Sequence, residues 1–235
     1  MVRTWSEDNP KARLMERKQA IIVKAALKAF LNSGYAEASV NQIAADAGVS
    51  IKTLYRHFES KDDLFSAVMQ AACGKPLRAE PDEGETPPVW YKVAPLNGLR
   101  LAGEEYLRHV LSEEQLALYR VVTRDALRFP ELGRRYLELT AGGRDAKFAG
   151  YLDLWVAHEG WAVPDRHSAA QVFAGLLKAR LFDEALLGVH QPSEDEIAVQ
   201  ARSAAQTMLL LLESGNSGIM ANPSRTAGTR KGSRI

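Results

Sequence analysis

The helical spacing of apolar residues is the feature of this sequence that most constrains its fold. In the first long segment, about 11–32, one side is formed by Ile21, Ile22, Ala25, Ala26, Ala29 and Phe30. These residues recur three and four positions apart, as on the buried side of a helix. We find no convincing run that alternates between apolar and polar residues, which is the pattern of a half-buried strand. The sequence therefore predicts an all-α fold.

The same spacing, read with helix-capping signals, places the remaining helices. They are predicted at about 40–47, 51–58, 61–72, 96–111, 113–128, 130–158, 168–187 and 194–213. Ser112 followed by Gln115 makes a capping box before one of them, and Ser193 followed by Glu196 makes another. Gly34 is expected to end the first helix, and the pair Gly142-Gly143 to interrupt the 130–158 segment.

Composition divides the chain into two folded parts with polar segments around them. Residues 1–10 and the basic tail, 214–235, are predicted to be disordered because they hold few residues that a core could bury. Residues 76–95 form a linker rich in proline and acidic residues. Trp90 and Tyr91 are out of place in a solvated linker, so we expect them to pack on other residues. The folded parts are then residues 11–75 and 96–213.

Composition and charge restrict the class of protein. The chain has 235 residues and one cysteine, Cys73, so an internal disulfide is impossible and a reducing compartment is indicated. The first ten residues lack the apolar core of a signal peptide, and no stretch approaches the roughly 18 apolar residues of a membrane helix. We therefore expect a cytoplasmic protein that is not bound to a membrane.

The charge is distributed unevenly along the chain. Residues 1–75 hold 11 basic and 8 acidic residues, a net charge of +3, whereas residues 76–220 hold 15 and 21, a net charge of −6. Residues 221–235 add 4 basic residues and no acidic ones. A basic front and an acidic middle favour a polyanion as the partner of the N-terminal part alone.

The segment 39–58, SVNQIAADAGVSIKTLYRHF, predicts two short helices joined by a tight turn. Ser39 and Ser50 are placed to cap the two helices, and Gly48 stands where the chain must turn sharply. In the first helix Val40, Ile43, Ala44 and Ala47 recur at helical spacing and are expected to face inward. In the second, Ile51, Leu54 and Phe58 share a face that would anchor it to the core.

The second short helix turns its polar residues outward. Lys52, Thr53, Tyr55 and Arg56 lie opposite the apolar face. A short helix of this character fits the DNA major groove, where basic groups meet phosphates or guanine and hydroxyls meet phosphates or base edges. The pattern is typical of a helix-turn-helix DNA-binding domain, within about 40–59.

Residues 17–74 resemble the DNA-binding domain of the TetR (tetracycline-repressor-like) family. The matching runs are Phe30-x-x-x-Gly34-Tyr35, Ser39-Val40-x-x-Ile43-Ala44, Ala47-Gly48-Val49-Ser50, Thr53-Leu54-Tyr55-x-His57-Phe58 and Lys61-x-x-Leu64. The resemblance implies phosphate or base contacts from Ser39, Ser50, Lys52, Thr53, Tyr55 and His57. It also implies a phosphate contact from Lys61, at a helix N-terminus that favours an anion.

Two later segments resemble the AefR-like C-terminal subgroup of that family. They are 118–135, with Ala126-x-x-Phe129-Pro130-Glu131-Leu132, and Ala169-Ala170-x-x-Phe173-x-Gly175-Leu176-Leu177. The resemblance implies an all-helical domain that binds an effector and dimerises. Candidate pocket residues are Tyr106, Tyr119, Arg120, Arg124, Phe148, Trp155 and Phe173. Burial of Arg120 or Arg124 in the pocket would favour an anionic effector.

The last two long helices each carry an apolar face with two interpretations. The faces consist of Phe173, Leu176, Leu177 and Leu181 in one helix and Ile197, Ala201, Ala204, Met208 and Leu211 in the other. They are either ordinary core or the interface of a homodimer. Given the resemblance we favour the homodimer, because two reading helices on a two-fold axis match a palindromic operator.

These observations and the resemblance together predict a sequence-specific regulator of transcription. We expect a repressor that a small molecule of unknown identity releases from double-stranded DNA, while an activator stays open because the role depends on the position of the operator relative to the promoter. We expect helix 61–72 to couple effector and DNA, and the protein to associate with the nucleoid. The alternative is an effector-binding helical dimer with weak or no DNA binding. No catalytic constellation, no metal-ligand spacing among the five histidines and no cofactor fingerprint is present in the sequence, so an enzyme, a metal site and a cofactor are not expected.

Overall fold

A computed structural model of the protein describes residues 10–72 and 88–215. All regular structure in these residues is helical, which confirms the all-α prediction. The α-helices are α1 (Pro10–Glu37), α2 (Val40–Asp46), α3 (Ile51–His57), α4 (Lys61–Ala72), α5 (Pro95–Val110), α6 (Glu113–Asp125), α7 (Pro130–Glu159), α8 (Arg166–Leu186) and α9 (Glu194–Glu213). A short 3₁₀ helix spans Val89–Lys92. The predicted disorder of residues 1–9, most of the predicted linker and the predicted disordered tail from residue 216 lie outside the described residues.

Serine caps begin α2, α3 and α6, as the sequence predicted. The side chain of Ser39 accepts the N–H of Gln42 at 3.4 Å, that of Ser50 accepts the N–H of Thr53 at 3.1 Å, and that of Ser112 accepts from a residue three positions on at 3.4 Å. Each bond satisfies one of the backbone donors that a helix leaves free in its first turn.

Gly34 breaks the first helix without ending it. Its backbone has φ 80° and ψ 177°, a conformation that is open to glycine and strained for other residues. The helix resumes after this break for a last short stretch to Glu37. The prediction that the first helix ends at Gly34 is therefore wrong: the backbone breaks there, but the helix continues to Glu37.

The predicted interruption at Gly142-Gly143 is wrong. Helix α7 runs without a break through both glycines. Two glycines each lower helix stability by about 1 kcal/mol relative to alanine. Buried residues further along α7, among them Phe148, Tyr151 and Leu152, compensate by packing in the interior.

The described residues group into two compact units, each built from separated stretches of chain. The first unit contains residues 10–72, 105–144 and 180–193, and the second contains residues 88–104, 145–179 and 194–215. The predicted DNA-binding domain, residues 11–75, and the predicted effector-binding and dimerisation domain, residues 96–213, are functional divisions of the chain. Their boundaries stay predictions.

The core of the first unit joins the N-terminal helices to α6 and α7. Ile22, Phe30, Leu54, Leu64 and Phe65 are almost fully buried in it. Leu118, Val121 and Val122 of α6 and Leu132 of α7 belong to the same cluster. The helices on either side of the turn at Gly48 therefore share one apolar interior with α6 and α7.

The second unit has an aromatic core. Tyr151 is fully buried, and its ring lies 5.3 Å from that of Trp90 and 5.8 Å from that of Tyr91. The expectation that these two residues pack on others is confirmed. A Cβ on Gly98 would lie 2.7 Å from the carbonyl oxygen of Trp90, so the absence of a side chain there permits this close approach.

Helix length and hydropathy leave no membrane-spanning candidate within the described ranges.

Candidate nucleic-acid interface

Helices α2 and α3 meet at a tight turn that the backbone itself holds closed. The N–H of Gly48 donates to the carbonyl of Ala45, and the N–H of Val49 donates to that of Ala44, both at 3.0 Å. Gly48 has φ 64°, which confirms the expected need for glycine. Ile43 and Ala44 of α2 are buried beneath the turn.

Helix α3 is buried on one side and open on the other. Leu54 is 1% exposed and Phe58, its C-cap, is 2% exposed, so both anchor the helix as predicted. Ile51 was expected to join them but is 38% exposed, because it lies in the first turn, where the core does not reach. The opposite side presents Lys52, Tyr55 and Arg56.

The predicted DNA-contact residues of α2 and α3 fall on this accessible surface. Ser39 and Ser50 are exposed at the two N-caps. Thr53 is half-buried, and its hydroxyl lies 2.9 Å from that of Ser50. The tyrosine ring of residue 55 is half exposed, at 50%.

His57 is less open than its neighbours on α3. The ring is half-buried, and its Nε2 atom is enclosed without a hydrogen-bond partner among the residues that the structure describes. Burial lowers the pKa of His57, and the charges of Arg56 and Lys18 lower it further. The imidazole is therefore neutral near pH 7.

The ammonium group of Lys61 is directed at the end of α1. Its Nζ donates to the carbonyl oxygen of Ala36 at 3.0 Å and lies 4.9 Å from the ring centre of Tyr35. Burial lowers the pKa of Lys61, while Glu37, Asp125 and Asp62 act in the opposite direction. An ammonium has three donors, so this bond leaves two for a phosphate.

The candidate pocket residues are divided between the two units. Tyr106, Tyr119, Arg120 and Arg124 belong to the first unit, and Phe148, Trp155 and Phe173 to the second. Within the second unit, the rings of Phe148 and Phe173 stack with centres 5.0 Å apart. Within the first, Tyr119 packs edge-on against Phe182 at 5.4 Å.

Both candidate arginines bind backbone carbonyls. Arg120 donates to the carbonyls of Ala185 and Leu186 at 3.0 and 2.8 Å, and so caps the end of α8. Arg124 donates to the carbonyl of Ser33 at 3.2 Å. Both residues are exposed, so the condition for an anionic effector, a buried arginine, is not met.

The apolar faces of α8 and α9 lie mostly inside the protomer. Of the nine residues in the two faces, seven are at most 7% exposed: Phe173, Leu177, Leu181, Ile197, Ala201, Ala204 and Met208. A Cβ on Gly103 of α5 would lie 2.7 Å from Leu177 and 3.3 Å from Ala201, which shows what covers this face. Core packing, the alternative to the dimer, therefore describes these seven residues. Leu176 and Leu211 are half-buried.

Asp125, a buried polar residue of the first unit, was not foreseen from the sequence. The carboxylate is 7% exposed and accepts the backbone N–H of Tyr35 at 2.7 Å, across 90 residues of chain. No local pattern marks such a contact.

No three histidine, cysteine or acidic side chains in residues 10–72 and 88–215 come together as a metal site would require.

Two short helices joined by a glycine turn define a helix-turn-helix DNA-binding domain. The second of them is anchored in the core by Leu54 and Phe58 and presents its basic side to solvent. Residues 22–68 match the family model of bacterial regulatory proteins of the tetR family. Residues 97–211 match that of the C-terminal domain of AefR-like transcriptional repressors. The chain belongs to the TetR family of bacterial transcription regulators, which identifies it as a regulator and not as an enzyme.

Individual proteins agree with this assignment. A 55-residue segment is 44% identical to part of the HTH-type transcriptional activator FasR of Mycolicibacterium smegmatis. That segment is 23% of this chain and 25% of FasR, so the match spans a quarter of the relative's length.

Solved structures match most of the chain. The crystal structure of a TetR-family transcriptional regulator from Mesorhizobium loti superposes with a TM-score of 0.68 at 25% identity, covering 84% of this chain and 97% of the other. The flavonoid-responsive regulator FrrA superposes with a TM-score of 0.67 at 28% identity, covering 83% and 96%.

Proposed function

We propose that the protein is a homodimeric, sequence-specific DNA-binding repressor that a small molecule releases from a palindromic operator. The observation that carries the proposal is the two-sided character of α3. Its apolar side is anchored by Leu54 and Phe58, while Lys52, Tyr55 and Arg56 are open to solvent. An effector-binding helical dimer with weak or no DNA binding would have no need for this exposed basic surface, which argues against that alternative.

The proposed DNA contacts divide into base reading and phosphate binding. Lys52, in the first turn of α3, is the proposed base reader, because the N-terminal residues of a recognition helix reach base edges. Ser39, Ser50, Thr53 and Tyr55 are proposed to bind phosphates through their hydroxyls. His57 and Lys61 are also proposed as phosphate contacts, and both side chains are half-buried against the rest of the domain.

The DNA contacts are tested by fluorescence anisotropy with an operator selected from random oligonucleotides. Wild type is expected to prefer this operator over random DNA by about a thousandfold or more, with affinity that falls steeply with salt. Lys52→Ala should lower operator affinity by about 1–3 kcal/mol and relax the preference at one base position. Lys92→Ala removes an exposed lysine from the 3₁₀ helix of the second unit and serves as the matched control. Equal binding of operator and random DNA by wild type would refute the proposal.

The proposed dimer uses the outward faces of α8 and α9. On α9 Val199, Ser203, Gln206 and Leu210 are exposed and share one uncharged face, and Val199 and Leu210 are 64% and 66% exposed. The neighbouring surface of α8 contributes Leu176, whose carbonyl accepts the side-chain N–H of Gln200 at 2.7 Å. An exposed, uncharged face on a long helix, with apolar side chains at both of its ends, is suited to contact with a second copy.

The dimer is tested by light scattering after size-exclusion chromatography. Leu210→Asp places a charge on the proposed interface and is expected to give a monomer with weakened operator binding. Leu127→Asp is the matched control, because Leu127 is 95% exposed in the segment between α6 and α7. A Leu210→Asp protein that remains dimeric would refute the proposed surface.

The proposed effector is an aromatic small molecule. FrrA, a structural relative over most of the chain, is named for its response to flavonoids. In this chain the second unit holds stacked Phe148 and Phe173, and the Nε1 atom of Trp155 is buried without a hydrogen-bond partner among the described residues. An indole N–H is a donor that a phenolic or carbonyl oxygen could satisfy.

A panel of flavonoids added to the protein–operator complex tests this effector class. Release of DNA by one compound, weakened in Trp155→Phe, is expected, because phenylalanine keeps an aromatic ring and removes the N–H. Release that is equal in both proteins would remove Trp155 from the site. No release by any flavonoid would exclude this class as the effector.

The repressor role is proposed from the C-terminal family match, which covers 115 residues, 97–211, and describes repressors. FasR, an activator, matches over 55 residues only. Transcription in vitro from a promoter that overlaps the operator is expected to fall when the protein is added. An increase would assign the opposite role.

A further inference from the structure

The last turn of α1, which follows the break at Gly34, is bound by the end of α6. Asp125, the last residue of α6, accepts the backbone N–H of Tyr35 at 2.7 Å and that of Ala36 at 3.4 Å through the same oxygen, Oδ2. These donors follow Gly34, where the φ of 80° turns the chain. The carboxylate therefore binds the backbone in the last turn of α1, just before the chain reaches Ser39, the N-cap of α2.

Arg124 completes the grip on this turn. Its guanidinium lies against Gly34, since a Cβ there would fall 0.9 Å from Nη2, and it donates to the carbonyl of Ser33 at 3.2 Å. It also pairs with both carboxylate oxygens of Asp125 at 3.2 Å. The two neighbouring side chains thus bind donors and an acceptor of one backbone turn, which constrains its direction more than a single bond would.

Within the first unit, hydrogen bonds also join α4 to α6 and α7. Arg135 of α7 donates to the carbonyl of Asp62 at 3.3 Å and to the hydroxyl of Ser66. Gln115 of α6 donates to the carbonyl of Ala72 at 2.6 Å, at the end of α4. Polar contacts from α6 and α7 therefore bind α1 and α4, the two helices that flank the helix-turn-helix.

We propose that Asp125 is a positioning residue for operator recognition: its contact with the turn after Gly34 sets the direction of α2 and α3. This inference rests on the proposed function, because only a dimer that reads two half-sites needs a fixed direction for each recognition helix. Asp125 touches no DNA in this proposal. It acts through the backbone of Tyr35 and Ala36, and the affected property is the match to half-site spacing.

The experiment compares wild type with Asp125→Asn on two DNAs. One is the selected operator, and the other carries two extra base pairs between its half-sites. Wild type is expected to prefer the operator, and Asp125→Asn to reduce that preference by about 2- to 30-fold, the range over which changes in a coupling network act. The salt dependence of binding should stay as in wild type, because no phosphate contact is lost.

The ratio of the two affinities separates positioning from a loss of folded protein. A variant that is only less stable has a smaller active fraction for both DNAs, and the ratio between them does not change. Glu131→Gln is the matched control: Glu131 is an exposed carboxylate of the same unit that pairs with Arg134 at 2.6 Å, and its loss should leave the ratio unchanged.

The possible results of the spacing experiment lead to different conclusions. If Asp125→Asn keeps the full spacing preference of wild type, Asp125 has no positioning role. If wild type does not prefer the operator over random DNA, the proposed function itself fails. Should Asp125→Asn fold poorly, Arg124→Gln alters an exposed partner of the same turn and is expected to shift the ratio in the same direction. An unchanged ratio in that variant would also overturn the proposal.

Discussion

Replacing Gly34 by alanine is expected to destabilise the first unit by about 1–4 kcal/mol. The backbone at Gly34 has φ 80° and ψ 177°, and holding a residue with a Cβ in such a region costs about 1–3 kcal/mol. The added Cβ would lie 0.9 Å from Nη2 of Arg124 and 2.2 Å from its Cζ, so that side chain must move away. The Arg124 side chain is 55% exposed, so the loss of its ion pair with Asp125 adds at most about 1 kcal/mol.

Urea unfolding followed by far-ultraviolet circular dichroism measures this loss. The matched control is Gly142→Ala, which adds the same methyl group inside α7, where nothing lies within 4 Å of the new atom. That variant should gain about 0.8–1 kcal/mol, because alanine is the better helix former.

The double variant Gly34→Ala/Arg124→Ala separates the two causes. Backbone strain persists without Arg124, whereas a cost due to the clash disappears with it. A Gly34→Ala protein that unfolds at the same urea concentration as wild type would refute the argument from backbone strain.

Three further predictions concern the helices. Ala179 interrupts α8 with φ 32° and ψ −136°, a conformation that glycine adopts more easily than alanine. Ala179→Gly is therefore expected to raise the free energy of unfolding by about 1 kcal/mol, measured as a higher urea midpoint, and a lower midpoint would contradict this. Ser112→Ala removes the N-cap of α6 and should cost about 1 kcal/mol, or about 2–4 °C in Tm, whereas Ser112→Thr should retain most of the stability. Burial by itself raises the pKa of Asp125, but bonds from Arg124 and from the N–H groups of Tyr35 and Ala36 lower it overall. Its contribution is therefore complete above the unfolded pKa of about 3.9 and is lost as pH falls through the lower folded pKa. The stability difference between wild type and Asp125→Asn should accordingly shrink from pH 7 toward about pH 2, and a constant difference would contradict this.

The short helices around Gly48 could be read from the sequence because their signals are local. Ser39 and Ser50 cap the helices they were expected to cap, and the predicted ends of α2 and α3 lie one residue from the observed ones. Capping and turn formation involve atoms three or four residues apart, so the sequence order already contains the contact.

Features that depend on distant residues could not be read in this way. Periodicity identified the apolar face of α9 with Ala201 and Met208, but periodicity does not say whether α5 of the same chain or a second copy covers that face. The contact between Asp125 and Tyr35 spans 90 residues and leaves no periodic trace. The continuity of α7 through Gly142 is likewise decided by packing elsewhere along the helix, against the local preference of glycine.

The shared interior of the first unit has a consequence for building chimeric regulators. Leu118, Val121 and Val122 of α6 and Leu132 of α7 lie in the same cluster as Ile22, Phe30 and Phe65. If residues 10–72 alone were transferred to another regulator, their apolar side chains would no longer pack against the α6 and α7 residues that complete this cluster. The exchangeable module is therefore discontinuous in sequence, and a swap of DNA specificity is better made by replacing the outward side chains of α3 than by transplanting the N-terminal helices.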